Sequence, residues 1–210
     1  MELSPAPAPG ADRSAIMAWR RETRAVLLER RTSLPLEDHG ERSESVRRRL
    51  VQSFPMIRQG QVGIYWPYKR EISLFPLANL VRAEGGQVSL PVVVEKKQPV
   101  QFRTWRPGDP LSAGAYGIMF PRDGAVVQPD TLIVALVGFD QANYRLGYGG
   151  GYYDRTLAAA DPRPFTIGVG FELMRLESIR PLPHDIPMDV IVTEAGVYPR
   201  SGANGPGAGP

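Results

Sequence analysis

Past the first dozen residues, apolar side chains recur at helical spacing. Ile16, Trp19, Thr23, Val26 and Leu27 fall on one face of AIMAWRRETRAVLLERR, which predicts an amphipathic helix with Ser14 as its N-cap. A second helix is expected from Leu36 to Val51. The rhythm then changes to short apolar runs: Val62 to Trp66, Val88 to Val94, Val100 to Trp105, Leu132 to Val137, Phe165 to Phe171 and Asp189 to Thr193. These read as strands, with Val100 to Trp105 returning as a hairpin-like partner. Helices are expected between them at Leu74 to Glu84, after the cap-like Ser73, and at Tyr152 to Ala160. Continuously apolar strands that alternate with helices predict a mainly parallel sheet covered on both faces, hence one α/β domain.

Composition narrows the picture. A chain of 210 residues suits one domain better than two cores. The domain is expected over 14–198. Residues 1–13, rich in Pro and Ala, and 199–210, rich in Gly, Pro and Ser, read as disordered tails. There is no cysteine, which excludes disulfides, thiolate nucleophiles and cysteine-held metals together. The start lacks the pattern of a secretory signal, and no apolar run is long enough to span a bilayer, so a cytoplasmic protein without a membrane partner is expected.

The formal net charge is +3, and arginines crowd the N-terminal quarter: Arg20, Arg21, Arg24, Arg30, Arg31, Arg47, Arg48 and Arg49. Such a face suits an anionic partner, or simply solvent. Arg47 to Arg49 sit on a predicted helix without interleaved aromatics, so a nucleic-acid partner is not expected. His39 and His184 are far apart and support neither a histidine metal site nor a nucleophile–base pair.

The chemistry concentrates after the strand at Leu132 to Val137, where GFDQANYRLGYGGGYYDRTLAAA reads as loop, glycine cluster and helix. Ligands of open α/β sheets bind beyond the carboxyl ends of strands. Gly147, Gly149, Gly150 and Gly151 lack Cβ atoms, so their amides can approach a phosphate, and a helix starting near Tyr152 adds free N–H groups. A tight surface turn would use the same glycines, and G-x-G-G-G is neither the Walker nor the dinucleotide pattern. Arg145 before the cluster and Asp154 after it supply a phosphate-compatible cation and a magnesium-compatible carboxylate.

Phe139, Asp140, Arg145, Leu146, Gly147, Gly149, Gly151, Tyr152, Tyr153, Asp154 and Arg155 stand as in the signature of the 5-formyltetrahydrofolate cyclo-ligase family, which this segment resembles. HDIPMDVIVTEAGV, His184 to Val197, extends the resemblance, which spans roughly Trp19 to Val197. It implies a single-domain three-layer α/β/α sandwich with a mainly parallel sheet, of the CoA-transferase-like kind. It also implies an enzyme, an ATP-dependent ligase that forms a C–N bond. Its reaction would be the ATP- and Mg²⁺-dependent cyclisation of 5-formyltetrahydrofolate to 5,10-methenyltetrahydrofolate, with release of ADP and phosphate.

The resemblance implies site residues as well. Arg20 and Arg24 occupy the two cationic positions of the family's first helix, the first being arginine where the family has lysine. They would bind ATP together with Arg145, Leu146, Gly147, Tyr148, Gly149, Gly150, Gly151, Tyr152, Tyr153 and Asp154. Arg145, Tyr152 and Asp154 would be catalytic. Glu71, with Tyr65, Tyr148 and Tyr152, would hold the reduced folate, and Asp154 and Asp189 would organise Mg²⁺. The chain departs from the family in GIMFP, Gly117 to Pro121, where Phe120 replaces an acid. A relative acting on another heterocyclic metabolite, or a non-catalytic nucleotide- or folate-binding protein, are the alternatives.

Overall fold

The computed structural model describes residues 2–114 and 117–202. Helix α1 (Arg13–Thr32) opens the fold. Its N-cap is Asp12, whose Oδ1 accepts from the Ala15 amide at 2.9 Å and from the Ser14 hydroxyl at 2.6 Å. Ser14 therefore lies inside the helix, because the carboxylate two residues earlier is the stronger acceptor for the free first-turn amides. Helix α2 (Leu36–Ser53) follows, and α3 (Phe75–Ala83) begins after Leu74 with no side-chain cap. Ser73 does not cap it; Pro76 in the first turn needs no N–H partner and fixes the start instead.

The main sheet contains β1 (Gln61–Gly63), β2 (Gln87–Val92), β3 (Gln101–Thr104), β6 (Val126–Val127), β7 (Thr131–Ala135), β10 (Phe165–Val169), β11 (Val190–Val192) and β12 (Val197–Pro199). Its order is β12-β11-β10-β7-β1-β2-β3-β6. The five strands from β11 to β2 are parallel, while β12, β3 and β6 pair antiparallel at the edges. The expected return of 100–105 as a hairpin partner of β2 is thus observed, with Ser89 opposite Thr104.

Burial explains the layering. Thr131, Leu132, Ile133 and Val134 are all buried in β7, as are Thr166 to Val169 in β10. Successive strand residues point to opposite faces, so both faces are covered and the sheet is the middle of three layers. Truncating the fully buried Ile133 to alanine would cost about 2–5 kcal/mol.

Several expected strands are shorter than their apolar runs. β1 stops at Gly63 because the chain leaves the sheet for a loop with left-handed backbone at Lys69 and Arg70. That loop returns Glu71 toward the sheet's edge. Two small ribbons went unforeseen: β4 (Leu111–Ala113) with β5 (Met119–Pro121), and β8 (Gly138–Phe139) with β9 (Arg145–Leu146). Helix α4 (Tyr152–Ala159) lies next to the glycine cluster as expected. At the ends, Leu3 and Ala6 pack against the α1 cluster, and the Trp19 indole donates to the Ser4 carbonyl at 3.0 Å. Val197–Pro199 form a strand; Met1 and 203–210, parts of the expected tails, lie outside the described residues.

Candidate active site

The site grows from the carboxyl end of β7, where the β8–β9 ribbon is fixed by Asp140. Its Oδ1 accepts from the amides of Ala142 and Tyr144, both at 3.0 Å, and its Oδ2 from Ile179 N–H at 2.9 Å. Buried Asn143 completes the turn in the left-handed region, which asparagine tolerates. This turn delivers Arg145 into the fold. There Nη1 donates to the Ile186 carbonyl at 2.7 Å, and Nη2 forms an ion pair with Asp154 Oδ1 at 2.7 Å. Asp154 also accepts from the Ile186 amide at 3.1 Å. Burial lowers the Arg145 pKa and the Asp154 charge opposes that shift. The pair therefore clamps the two flanks of the glycine loop onto the 184–188 segment.

Between the clamps run Gly147 to Gly151. Gly149 has φ +93° and Gly151 φ +64°, backbone conformations that side-chain-bearing residues rarely adopt. Gly151 is the N-cap of α4 and offers no side chain to the first-turn amides, so these N–H groups remain available to an anion. A Cβ on Gly150 would come within 2.8 Å of the Tyr152 ring. Arg155 bonds the Gly150 carbonyl and stacks 5.3 Å from the Tyr152 ring centroid.

Arg24 reaches this loop from α1. Its Nε donates to the Gly147 carbonyl at 2.6 Å, and its guanidinium lies 3.6 to 3.8 Å from where a Gly149 Cβ would sit. Among the described residues its Nη groups meet no acceptor. Burial, and then the like charge of Arg20, lower its pKa. A partly desolvated cation beside open amides is an environment that an anion relieves.

A second cluster adjoins the first. The Tyr148 hydroxyl donates to Glu71 Oε1 at 2.9 Å and accepts from Arg31 Nη2 at 2.6 Å. Glu71 Oε2 accepts from the Tyr68 amide at 2.9 Å. Burial raises the Glu71 pKa, against the pull of Arg31, the Tyr68 amide and Tyr148. Tyr65 is buried beside it, its hydroxyl donating to the Ile72 carbonyl at 2.6 Å, and burial pushes its pKa well up, as it does those of Tyr148 and Tyr153. Free space between Arg31, Tyr65, Glu71 and Phe171 is only about 10 Å³. A cavity of about 580 Å³ opens elsewhere, between Arg82, Gly86, Trp105, Arg106, Pro121 and Gly124 at the start of β2. It lacks the glycine amides and the Arg–Asp clamp found at the carboxyl edge.

Two expected site residues lie apart. Arg20 is 4% exposed, with Nε on the Ile179 carbonyl, Nη2 on the Arg180 carbonyl and an ion pair to Asp185 at 2.6 Å. Its donors are committed to the 179–185 loop. Asp189 accepts from the Thr166 amide and hydroxyl at 2.8 and 2.7 Å, and faces Arg163 and Arg200 at 3.7 Å. It sits where β10 and β11 begin, the opposite edge from the glycine loop, and does not join Asp154. Among the described residues no group of three His, Asp or Glu could hold a metal ion.

Sequence reasoning named Asp140 only within the signature and did not single out Arg31 or Asp185 as supports of the candidate site. Arg31 had a signal: it falls seven residues after Arg24 and eleven after Arg20, on the same helix face. The hold of Asp185 on Arg20 spans 165 residues and has none.

A family model described as the 5-formyltetrahydrofolate cyclo-ligase family matches residues 16–194. The 5-formyltetrahydrofolate cyclo-ligase of Escherichia coli is 28% identical over 180 residues, covering 82% of this chain and 99% of that protein. That of Mycolicibacterium smegmatis is 29% identical over 183 residues, covering 83% and 93%. The solved structure of Aquifex aeolicus 5,10-methenyltetrahydrofolate synthetase superposes with a TM-score of 0.76 at 32% identity, covering 89% of this chain and 95% of that one.

Proposed function

Because this chain belongs to the 5-formyltetrahydrofolate cyclo-ligase family, we propose that it cyclises 5-formyltetrahydrofolate to 5,10-methenyltetrahydrofolate at the expense of ATP, releasing ADP and phosphate. The observation that carries this reading is the glycine loop, open at its amides and overhung by Arg24, directly beside the buried Glu71 cluster. One end suits a polyphosphate and the other a hydrogen-bonding heterocycle. No helix among the described residues is long and apolar enough to cross a membrane, which suits a cytoplasmic enzyme of small metabolites.

The chemical problem is that a formamide oxygen is a poor leaving group. In this reading the formyl oxygen attacks the terminal phosphorus, the O–P bond to ADP breaks, and N10 then attacks the formyl carbon. The N10 proton is released, and the former formyl oxygen departs with inorganic phosphate. Ring closure is intramolecular, so the protein contributes orientation and charge stabilisation and needs no covalent nucleophile. Arg24 and the amides of Gly147 to Gly151 would hold phosphates, with Leu146, Tyr152 and Tyr153 shaping the loop's base. Arg145 and Asp154 would keep the loop in register, and Glu71 with Tyr65 and Tyr148 would orient the folate. Magnesium would arrive with the nucleotide, since that ion keeps several waters and commonly takes few protein ligands.

The test is an absorbance assay for the methenyl product from 5-formyltetrahydrofolate and MgATP. Product that requires both ATP and a divalent metal, and vanishes with EDTA, is expected. Nucleotide binding without product would turn attention to a different heterocyclic substrate, with Phe120 the first residue to exchange.

A further inference from the structure

Arg31 is among the largest fully buried side chains, yet it is charged. Its donors reach three segments that are remote in sequence. Nε meets the Lys69 carbonyl at 3.0 Å, Nη1 the Leu136 carbonyl at 3.1 Å and Nη2 the Tyr148 hydroxyl at 2.6 Å, with Glu71 Oε1 3.9 Å away. A buried guanidinium is retained only where its fork is satisfied, and here its partners belong to the substrate-side loop, the end of β7 and the glycine loop.

Tyr148 is the unusual partner. The residue is 45% exposed on the glycine loop, but its hydroxyl is drawn inward between Arg31 and Glu71. Its ring also lies 5.7 Å from that of Tyr68, the residue whose amide binds Glu71. The loop otherwise consists of glycines, which bring no side chain to hold it. Arg24, Arg155 and Tyr148 are what tether it.

We propose that Arg31 is a positioning residue that fixes the Tyr148 hydroxyl against Glu71, and so holds the glycine loop and the folate-orienting carboxylate in one shared geometry. This rests on the cyclo-ligase reading for the identity of the ligands, but the tether itself is a property of the free protein. Tyr148 is the joint between the two half-sites. Nucleotide bound to the loop steadies Tyr148, which in turn steadies Glu71.

The experiment compares wild type with Tyr148→Phe and Arg31→Lys in the full chain. Hydrogen exchange at the Tyr68 amide, which donates to Glu71 Oε2, read without any ligand, is expected to accelerate about tenfold in Tyr148→Phe, because the pair of bonds through the Tyr148 hydroxyl is lost. KM for ATP and for 5-formyltetrahydrofolate should both rise by about fivefold or more, with kcat changed less. Arg31→Lys should fail to rescue, since one ammonium cannot reach all three segments. Unchanged exchange in Tyr148→Phe, or full activity in Arg31→Lys, would overturn the proposal even where the wild type turns over. A wild type that makes no product would instead overturn the functional reading, leaving the exchange result to decide the tether.

Discussion

Arg20 and Arg24 stand one helical turn apart on α1 and have opposite surroundings. Arg20 ends in a closed set of acceptors around Asp185, whereas Arg24 ends over open amides. Arg20→Met would strand a buried carboxylate and is expected to destabilise the fold by about 3–5 kcal/mol in urea unfolding. Arg24→Ala should leave stability nearly unchanged and weaken MgATP binding by about tenfold or more in calorimetry. The reverse pattern would exchange their roles. A lysine at position 20 would meet Asp185 but not the two carbonyls that the guanidinium also binds, which explains why arginine there serves this chain's loop.

Glu71 carries the pH signature. Burial raises its pKa above the ordinary 4.5. A carboxyl raised in the folded state holds its proton more tightly there than in the unfolded chain. Its stabilising contribution is full below the ordinary value and is lost as pH rises through the raised one. The advantage of wild type over Glu71→Gln in thermal unfolding is therefore expected to be largest near pH 4 and to shrink toward neutrality. A difference constant across that window would mean that Glu71 keeps an ordinary pKa.

At the scale of elements, the glycine loop and α4 act together. Gly151 caps α4 in the left-handed region, at φ +64° and ψ +18°. Asparagine visits that region and alanine does so at a cost of about 1–2 kcal/mol. Gly151→Ala should lower kcat/KM by about tenfold, and Gly151→Asn should retain more activity. Equal losses would mean that space beside Arg155, and not backbone conformation, limits the site. This element was legible in sequence because strand, glycine cluster and helix each leave a local pattern. The β4–β5 and β8–β9 ribbons were not, since strands of two or three residues are too short to show a period. The Ser14 cap was misread because Asp12 offered a stronger acceptor two residues earlier.

For the whole molecule, the parallel core was legible because its strands are buried on both faces and so are continuously apolar. The strand order and the meeting of remote side chains were not. Arg31 touches Tyr148 across 117 residues, and Asp189 turns toward Thr166 because β10 and β11 are neighbours. No local period encodes such contacts, so the glycine loop could be proposed as a site while its supports and the separation of Asp189 from Asp154 could not. The fold brings three loops to the carboxyl edge of one sheet and closes them with buried charges. Under the proposed function this arrangement would place phosphate and heterocycle side by side, as transfer between them requires.

That adjacency is tested most directly by isotope. 5-Formyltetrahydrofolate carrying oxygen-18 in its formyl group is turned over with MgATP, and the inorganic phosphate is analysed by mass spectrometry. The account requires the label to appear in the phosphate, one labelled oxygen for each methenyl product formed. Methenyl product accompanied by unlabelled phosphate would contradict direct transfer from nucleotide to formyl oxygen at this site.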